Sequence, residues 1–434
     1  MSFQILPLKE FLVRPALPQP LARMSEFAYN LLWSWDHSTR ALFRRLDPVL
    51  WKACNHNPVL MLGRIPQESL ERAAADPRYL AMYRRACERY DSYLARVGHA
   101  FPKALIAYFS MEYGLLDCMP IYSGGLGVLS GDHLKACSDS DIPLVGIGLL
   151  YQNGYLQQSL NADGWQQERY PVNDFYTLPV RPAIQDGAEV RVSVNLPTGE
   201  LFIKVWHIDV GRVKLYLLDT NIPENESQDH RDITAQLYGG DSFQRMRQEI
   251  VLGIGGLRAL KALKLEPTVY HMNEGHSAFL AIERIRVLIG DHGLTFEEAL
   301  GASRNNNVFT THTSVPAGID LFDPGLMHQF FGDYCRAAGI PFEQLLALGR
   351  RNSLDLSESF SMAISAIKTS AYRNAVSRLH RYVSQEMWQE LWPNLPVWEI
   401  PITSVTNGVH LPSWVNGDMA GMYDQYLQPD WRDH

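Results

Sequence analysis

Asn273, Glu274 and His276 stand almost side by side in YHMNEGH (270–276), directly after an apolar run that reads as a strand. A buried amide, carboxylate and imidazole this close need hydrogen-bond partners, and sugar hydroxyls are suitable ones. The same residues also suit a helix start, with Asn273 as cap and Glu274 on the positive end of the helix dipole. Their spacing is not the HExxH of helical metal sites. A second group, TTHTSVP (310–316), sets His312 among hydroxyls after another strand-like run. That histidine could donate to a ligand oxygen, or be a satisfied structural side chain. A third, TNGVHLPSW (406–414), offers Asn407 inside Asn-Gly, which is equally a generic turn signal. None of the three carries a nucleophile elbow, and no carboxylate pair of the glycosidase kind can be picked out.

The stretch at 121–158 is the one the chain is organised around. Its glycine cluster, Gly124-Gly125-Leu126-Gly127, lets a backbone approach a ligand closely. A strand-like run (104–111) precedes it, a helical segment with Asp132, His133 and Lys135 follows, and an apolar run (143–151) reads as a buried strand. A glycine loop between strand and helix is where α/β proteins hold anionic or sugar-like ligands, at backbone N–H groups. It is neither GxGxxG nor a Walker loop.

These groups need elements to hold them, and the pattern supplies an α/β order. Residues 1–100 read as helical, with Trp33, Trp35 and Trp51 at spacings that suit core better than a sugar-stacking surface. Residues 101–434 alternate strands and helices around a mostly parallel sheet. Hairpin patterns with a turn at 197–199 form β-rich inserts, and 221–240 reads as a long polar loop of functional kind. A helix is expected from 241, strands at PTVYHMN and NNVFTT, and a capping box at Thr295. Helical patterns run from 324 to about 391, followed by a last strand at ITSVTNGV.

With 434 residues, 46% hydrophobic and 20% charged, the chain can build a large core. A net charge of −8 and no Lys/Arg tract argue against nucleic acid. No apolar run reaches membrane-span length, and MSFQILPLKEF lacks the pattern of a signal peptide. Five scattered cysteines without metal spacing fit a reducing, cytoplasmic setting.

Taken in order, AYFSMEYG (107–114), SGGLGVLSGDHLKACSD (123–139), GIGLLYQNGYLQQ (146–158), GWQ (164–166), HMNEGHSAFLAIE (271–283), TTHTSVPAG (310–318) and SVTNGVHLPSW (404–414) resemble the α-glucan (glycogen/maltodextrin) phosphorylase family. The resemblance implies the Rossmann-like N-terminal domain of a GT-B glycosyltransferase, with a helical N-terminal region before it. It implies retaining phosphorolysis of terminal α-1,4-glucosyl bonds to glucose 1-phosphate, with the phosphate of pyridoxal phosphate as acid/base. On the motif match, Gly124, Gly125 and Leu126 would approach the phosphate and glucosyl unit, and Tyr108 would lie near the cofactor. Glu274 and His276 would face the glucosyl site. His312 would line the reacting centre as the catalytic residue, and Asn407 would contact sugar hydroxyls.

The cofactor lysine motif of the family, of the Gly-Thr-Ser-Asn-Met-Lys kind, does not occur in this sequence, nor does the Lys/Arg cluster that holds phosphate. The expected role is therefore the glucan side of the cleft, inactive alone, with a C-terminal half or a separate chain as partner. Two other readings stay open: a non-catalytic glucan-binding or regulatory module, and a nucleotide-sugar glucosyltransferase of the glycogen/starch synthase kind.

Overall fold

The computed structural model describes residues 15–96, 101, 103–315, 318–427 and 431. The expected boundary at residue 100, and Pro316 and Ala317 of the TTHTSVPAG stretch, lie outside the described residues. Contacts divide the chain into two units, Met1–Arg96 with Phe175–Pro179, and Val97–Asp174 with Val180–His434.

The described part of the first unit is helical. Its helices are α1 (Met24–Tyr29), α2 (His37–Leu46), α3 (Pro48–Ala53), α4 (Pro58–Arg64), α5 (Gln67–Ala75) and α6 (Pro77–Leu94). Three of these starts share one device. Asp47, Asn57 and Asp76 accept from the first free N–H groups, and a proline, which has no N–H to satisfy, follows each cap. Trp33, Trp35 and Trp51 are buried, with Trp51 stacked on Phe43 at 5.9 Å and edge-on to Trp33 at 5.7 Å. They are core, not a sugar platform.

The second unit is built on a ten-stranded sheet. Its strands are β1 (Ile106–Phe109), β2 (Leu144–Leu149), β3 (Arg181–Pro182), β4 (Arg191–Leu196), β5 (Gly199–Val210), β6 (Val213–Asp219), β7 (Val269–Asn273), β8 (Asn307–Thr311), β9 (Tyr372–Ala375) and β10 (Thr403–Ser404). The order is β10-β9-β8-β7-β1-β2-β6-β5-β3, with β4 paired to β5. All pairs from β10 to β6 are parallel, while β5 is antiparallel to β6, β3 and β4. Every residue of β2 is buried, as an apolar strand covered on both faces requires. The carboxyl ends of β1, β7, β8, β9 and β10 therefore lie along one edge, and the loops that leave them meet there.

Helix α7 (Gly125–Asp139) carries the chain from β1 to β2. Glycine lets it sit close to the loop after β1. A Cβ on Gly131 would come within 2.1 Å of the Gly114 carbonyl oxygen, and one on Gly127 within 2.5 Å of Tyr122 Cβ. The Gly114 N–H donates to the Gly127 carbonyl at 2.6 Å.

The mixed α/β fold with a mostly parallel sheet and a helical N-terminal region agrees with the sequence, but three details differ. The stretch read as helical through 391 contains β9, a strand of the main sheet. Its Arg373 is buried, the guanidinium donating to the carbonyls of Ile367 and Ser370, so the strand lacks an apolar pattern. The last strand shrinks to two residues. Residues 221–240 are not a bare polar loop: a helical turn (Gln228–Arg231) runs through them, and Ile233, Thr234 and Leu237 are buried.

Candidate functional site at the carboxyl edge of the sheet

The glycine loop is set by a carboxylate at the end of β1. Glu112 accepts from the N–H groups of Ser123 (2.7 Å) and Gly124 (3.2 Å), and from the Tyr238 hydroxyl at 2.6 Å. This fixes the entry to α7, whose first turn has no side-chain cap. Cβ atoms on Gly124 or Gly125 would meet nothing within 4 Å, so this face of the loop is open. Backbone N–H groups of Gly125 and Leu126 at an uncapped helix start, with the dipole behind them, suit an anion or a hydroxyl oxygen.

Asn273, the last residue of β7, couples that loop to His312. Ser130 donates to the Leu126 carbonyl (2.9 Å) and Ser110 to the Glu112 carbonyl (3.0 Å). The two serine oxygens lie 2.9 Å apart, and they accept from the Asn273 amide nitrogen at 2.9 and 3.1 Å. The Asn273 Oδ1 then faces His312 Nε2 at 2.6 Å, which must be the donor. With the amide in this orientation His312 carries a proton on Nε2. Burial, with His380 next, lowers the His312 pKa to about 4.

Glu274 follows with φ 70° and ψ 174°, a conformation a non-glycine residue adopts only when held. Its carboxylate supplies the hold. One oxygen accepts from the N–H groups of His312 (2.7 Å) and Thr313 (2.9 Å) and from the Thr313 hydroxyl (3.1 Å). The other accepts from the Gly275 N–H at 3.1 Å. Glu274 thus clamps the loop after β8 onto the end of β7.

His276 opens a second polar group. Its Nε2 lies 3.7 Å from Asp320, which Arg245 contacts at 2.7 Å. Arg245 also lies over the Tyr238 ring at 4.9 Å and within 3.6 Å of Glu249. Burial, and then Asp320, push the Glu249 carboxyl well above the ordinary range, which favours its neutral form. Burial also depresses His276. Both Glu249 oxygens, His276 Nδ1 and Arg245 Nη1 are buried without a hydrogen-bond partner among the described residues. Buried polar atoms left unpaired are costly, and here His276 and Arg245 lie against Tyr238, whose hydroxyl donates to Glu112.

The sequence-derived residues fall into three places. Gly124, Gly125, Leu126, Glu274, His276 and His312 come together in one network through Glu112, Asn273 and Tyr238. Asn407 is exposed in the loop after β10, at the same edge of the sheet. Tyr108 is inside β1, its ring packed at 4.8 Å from His133 and 5.0 Å from His271. Glu112, Tyr238, Arg245, Glu249 and Asp320 were missed. Only Glu112 had a signal, since it follows a strand as Glu274 does.

Among the described residues, the lysines withdrawn from water already have partners and do not fit a covalent aldehyde cofactor. The buried Lys135 donates to the Leu115 carbonyl and Ser413, the buried Lys204 to Glu189, and the half-buried Lys368 to two backbone carbonyls. No group of three or more metal-ligating side chains occurs among the described residues. No described helix is long and apolar enough to cross a membrane.

A family described as "Protein of unknown function (DUF3417)" matches residues 17–119. The chain is 44% identical to glycogen phosphorylase of Mycobacterium tuberculosis (strain ATCC 25618 / H37Rv), over 94% of this chain and 50% of that protein. It is 38% identical to maltodextrin phosphorylase of Thermococcus litoralis, over 97% of this chain and 50% of the relative. Glycogen phosphorylase of Aquifex aeolicus is 36% identical over 93% of this chain and 57% of its own length. The chain thus has phosphorylase homologues along most of its length and spans about half the length of the curated relatives it matches. This homology is the ground for assigning the α/β unit to the GT-B class.

Proposed function

We propose that this chain, homologous to glycogen and maltodextrin phosphorylases, supplies the glucan and glucosyl wall of a phosphorolytic site. The reaction moves a terminal α-1,4-linked glucosyl unit from a glucan onto phosphate, with retention at C1. The C1–O bond to the glucan breaks, an oxygen of phosphate bonds to C1, and the glucan O4 takes up a proton. The observation that carries this reading is the open face of the glycine loop, tied through Ser130 and Asn273 to His312.

In this reading Gly124, Gly125 and Leu126 meet the phosphate or glucosyl oxygens through backbone N–H groups. His312, neutral at physiological pH, offers hydrogen bonding to the sugar without positive charge. Glu274 serves His312 by fixing its backbone. Asn407 contacts hydroxyls from the other side. The pyridoxal phosphate expected of the family would be held by residues outside this sequence, and the cationic clamp for phosphate with it. We place the reaction in the cytoplasm.

The test supplies this chain with the remaining half of the Mycobacterium relative, maltodextrin and phosphate, and measures glucose 1-phosphate. Release from the mixture, and none from either half alone, is the expected result. His312→Ala should lower the rate by about two orders of magnitude, as loss of a well-placed polar group does. Maltooligosaccharide binding without any release in the mixture would favour a glucan-binding module instead. Binding of ADP- or UDP-glucose would favour the nucleotide-sugar reading.

A further inference from the structure

We infer that Asp132, in the middle of α7, is a positioning residue for the segment that carries Asn407. This deepens the phosphorolytic reading and rests on its assignment of Asn407 to sugar hydroxyls. The segment leaves β10 at the edge of the sheet, and the Val405 and Asn407 N–H groups donate to the carbonyls of Ala375 (2.9 Å) and Val376 (3.1 Å). It then reaches α7, the helix that follows β1, four places along in the strand order. From Ser404 to His410 the chain can span at most about 20 Å.

Its landing on α7 is built from buried polar groups. Asp132 Oδ2 accepts from the His410 N–H at 3.0 Å and from the Trp414 indole N–H at 2.7 Å. His410 Nε2 meets Asp139 at 2.9 Å, its Nδ1 meets Ser413 at 2.8 Å, and Lys135 donates to Ser413 at 3.1 Å. Asp132, Lys135 and His410 are each 4% exposed. Between these anchorages the segment is in the open, with Val405 62% and Val409 71% exposed. One carboxylate oxygen thus gathers both ends of the His410–Trp414 turn, and it does so on the helix whose first turn is the glycine loop.

The consequence is geometric. Asp132 sets where Asn407 stands relative to Gly124–Leu126, while Glu112 and the close Gly131–Gly114 contact hold α7 independently. An asparagine at 132 keeps the shape, but the single oxygen that both donors share becomes a neutral amide oxygen, so both bonds weaken together. The turn would come loose without displacing the glycine loop.

The experiment measures maltoheptaose affinity of the whole chain by calorimetry for wild type, Asp132→Asn, Asn407→Ala and the double variant. We expect each single change to weaken binding by roughly five- to tenfold and the double change to be little worse than either, the non-additivity of residues acting together. A protein with purely structural damage at Asp132 would lose bound fraction but keep the separate Asn407 effect. Trp414→Phe removes only the indole donor from a side chain 61% exposed, so it decides the matter if Asp132→Asn fails to fold. In wild type the Trp414 indole N–H should give a downfield NMR signal that Asp132→Asn moves upfield. Unchanged affinity in Asp132→Asn and Trp414→Phe, or full additivity with Asn407→Ala, overturns the inference alone. Absence of binding by wild type instead removes the functional reading on which it stands.

Discussion

The Asn273 amide oxygen accepts from His312 Nε2 at 2.6 Å, and the same side chain's nitrogen donates to Ser110 and Ser130. Through those contacts the end of β7 reads the first turn of α7 on one side and the loop after β8 on the other. Replacing Asn273 with Asp should disturb both. A carboxylate beside Nε2–H stabilises the imidazolium, so the His312 pKa should rise from about 4 towards its ordinary value. An NMR titration of the imidazole measures this, and an unmoved pKa would mean the tautomer assignment is wrong.

Glu274→Gln keeps the shape but exchanges a charged acceptor of the His312 and Thr313 N–H groups for an amide. Hydrogen bonds to charged groups contribute about 1.5–3 kcal/mol, so denaturant unfolding should show a loss of that order. Glu274→Gly relaxes the backbone at φ 70° yet removes every acceptor, and it should be no better than the glutamine variant.

The glycines of α7 should separate into two kinds. Gly131→Ala drives a methyl to 2.1 Å from a backbone carbonyl oxygen and should cost at least about 1–3 kcal/mol. Gly125→Ala meets nothing within 4 Å and should leave stability equal or raise it by up to about 1 kcal/mol. The same alanine stands on the open face of the loop, so ligand affinity should fall while thermal stability does not. A Gly125 variant that melts early would contradict this division.

Sequence patterns made β1, β2, β7 and β8 legible because buried parallel strands are apolar runs, and residues leaving such strands drew notice for that reason. Strand β9 escaped because its burial is achieved by Arg373 hydrogen-bonding to carbonyls, which no hydropathy pattern records. The Arg245–Asp320 pair escaped for a different cause. It joins a helix to a loop distant in sequence, and only the packed sheet brings them to 2.7 Å. The Asp132 and His410 contact was hidden in the same way, although both residues lay inside motifs already singled out.

Acid should destabilise the second unit earlier than carboxylate titration alone would. Burial depresses His133, His271 and His276, the second to about 3, and His312 to about 4, against about 6.5 in an unfolded chain. Below 6.5 the unfolded state takes up protons that the folded state refuses. Stability is therefore fully present above pH 6.5 and is lost as pH falls towards 4. Each such proton steepens the slope by about 1.4 kcal/mol per pH unit. Urea unfolding at pH 7.5, 6 and 5 measures this slope, which should be shallower in a His271→Asn variant.

Glu274 has one further consequence, which concerns when the site exists at all. Its strained backbone is compensated in large part by N–H groups of His312 and Thr313, and these arrive only when β8 has zipped alongside β7. The clamp is thus a late event in folding and the first to let go when that sheet pairing breathes. The exchange rates of those two amide protons therefore serve as a clock for how often the assembled pocket opens.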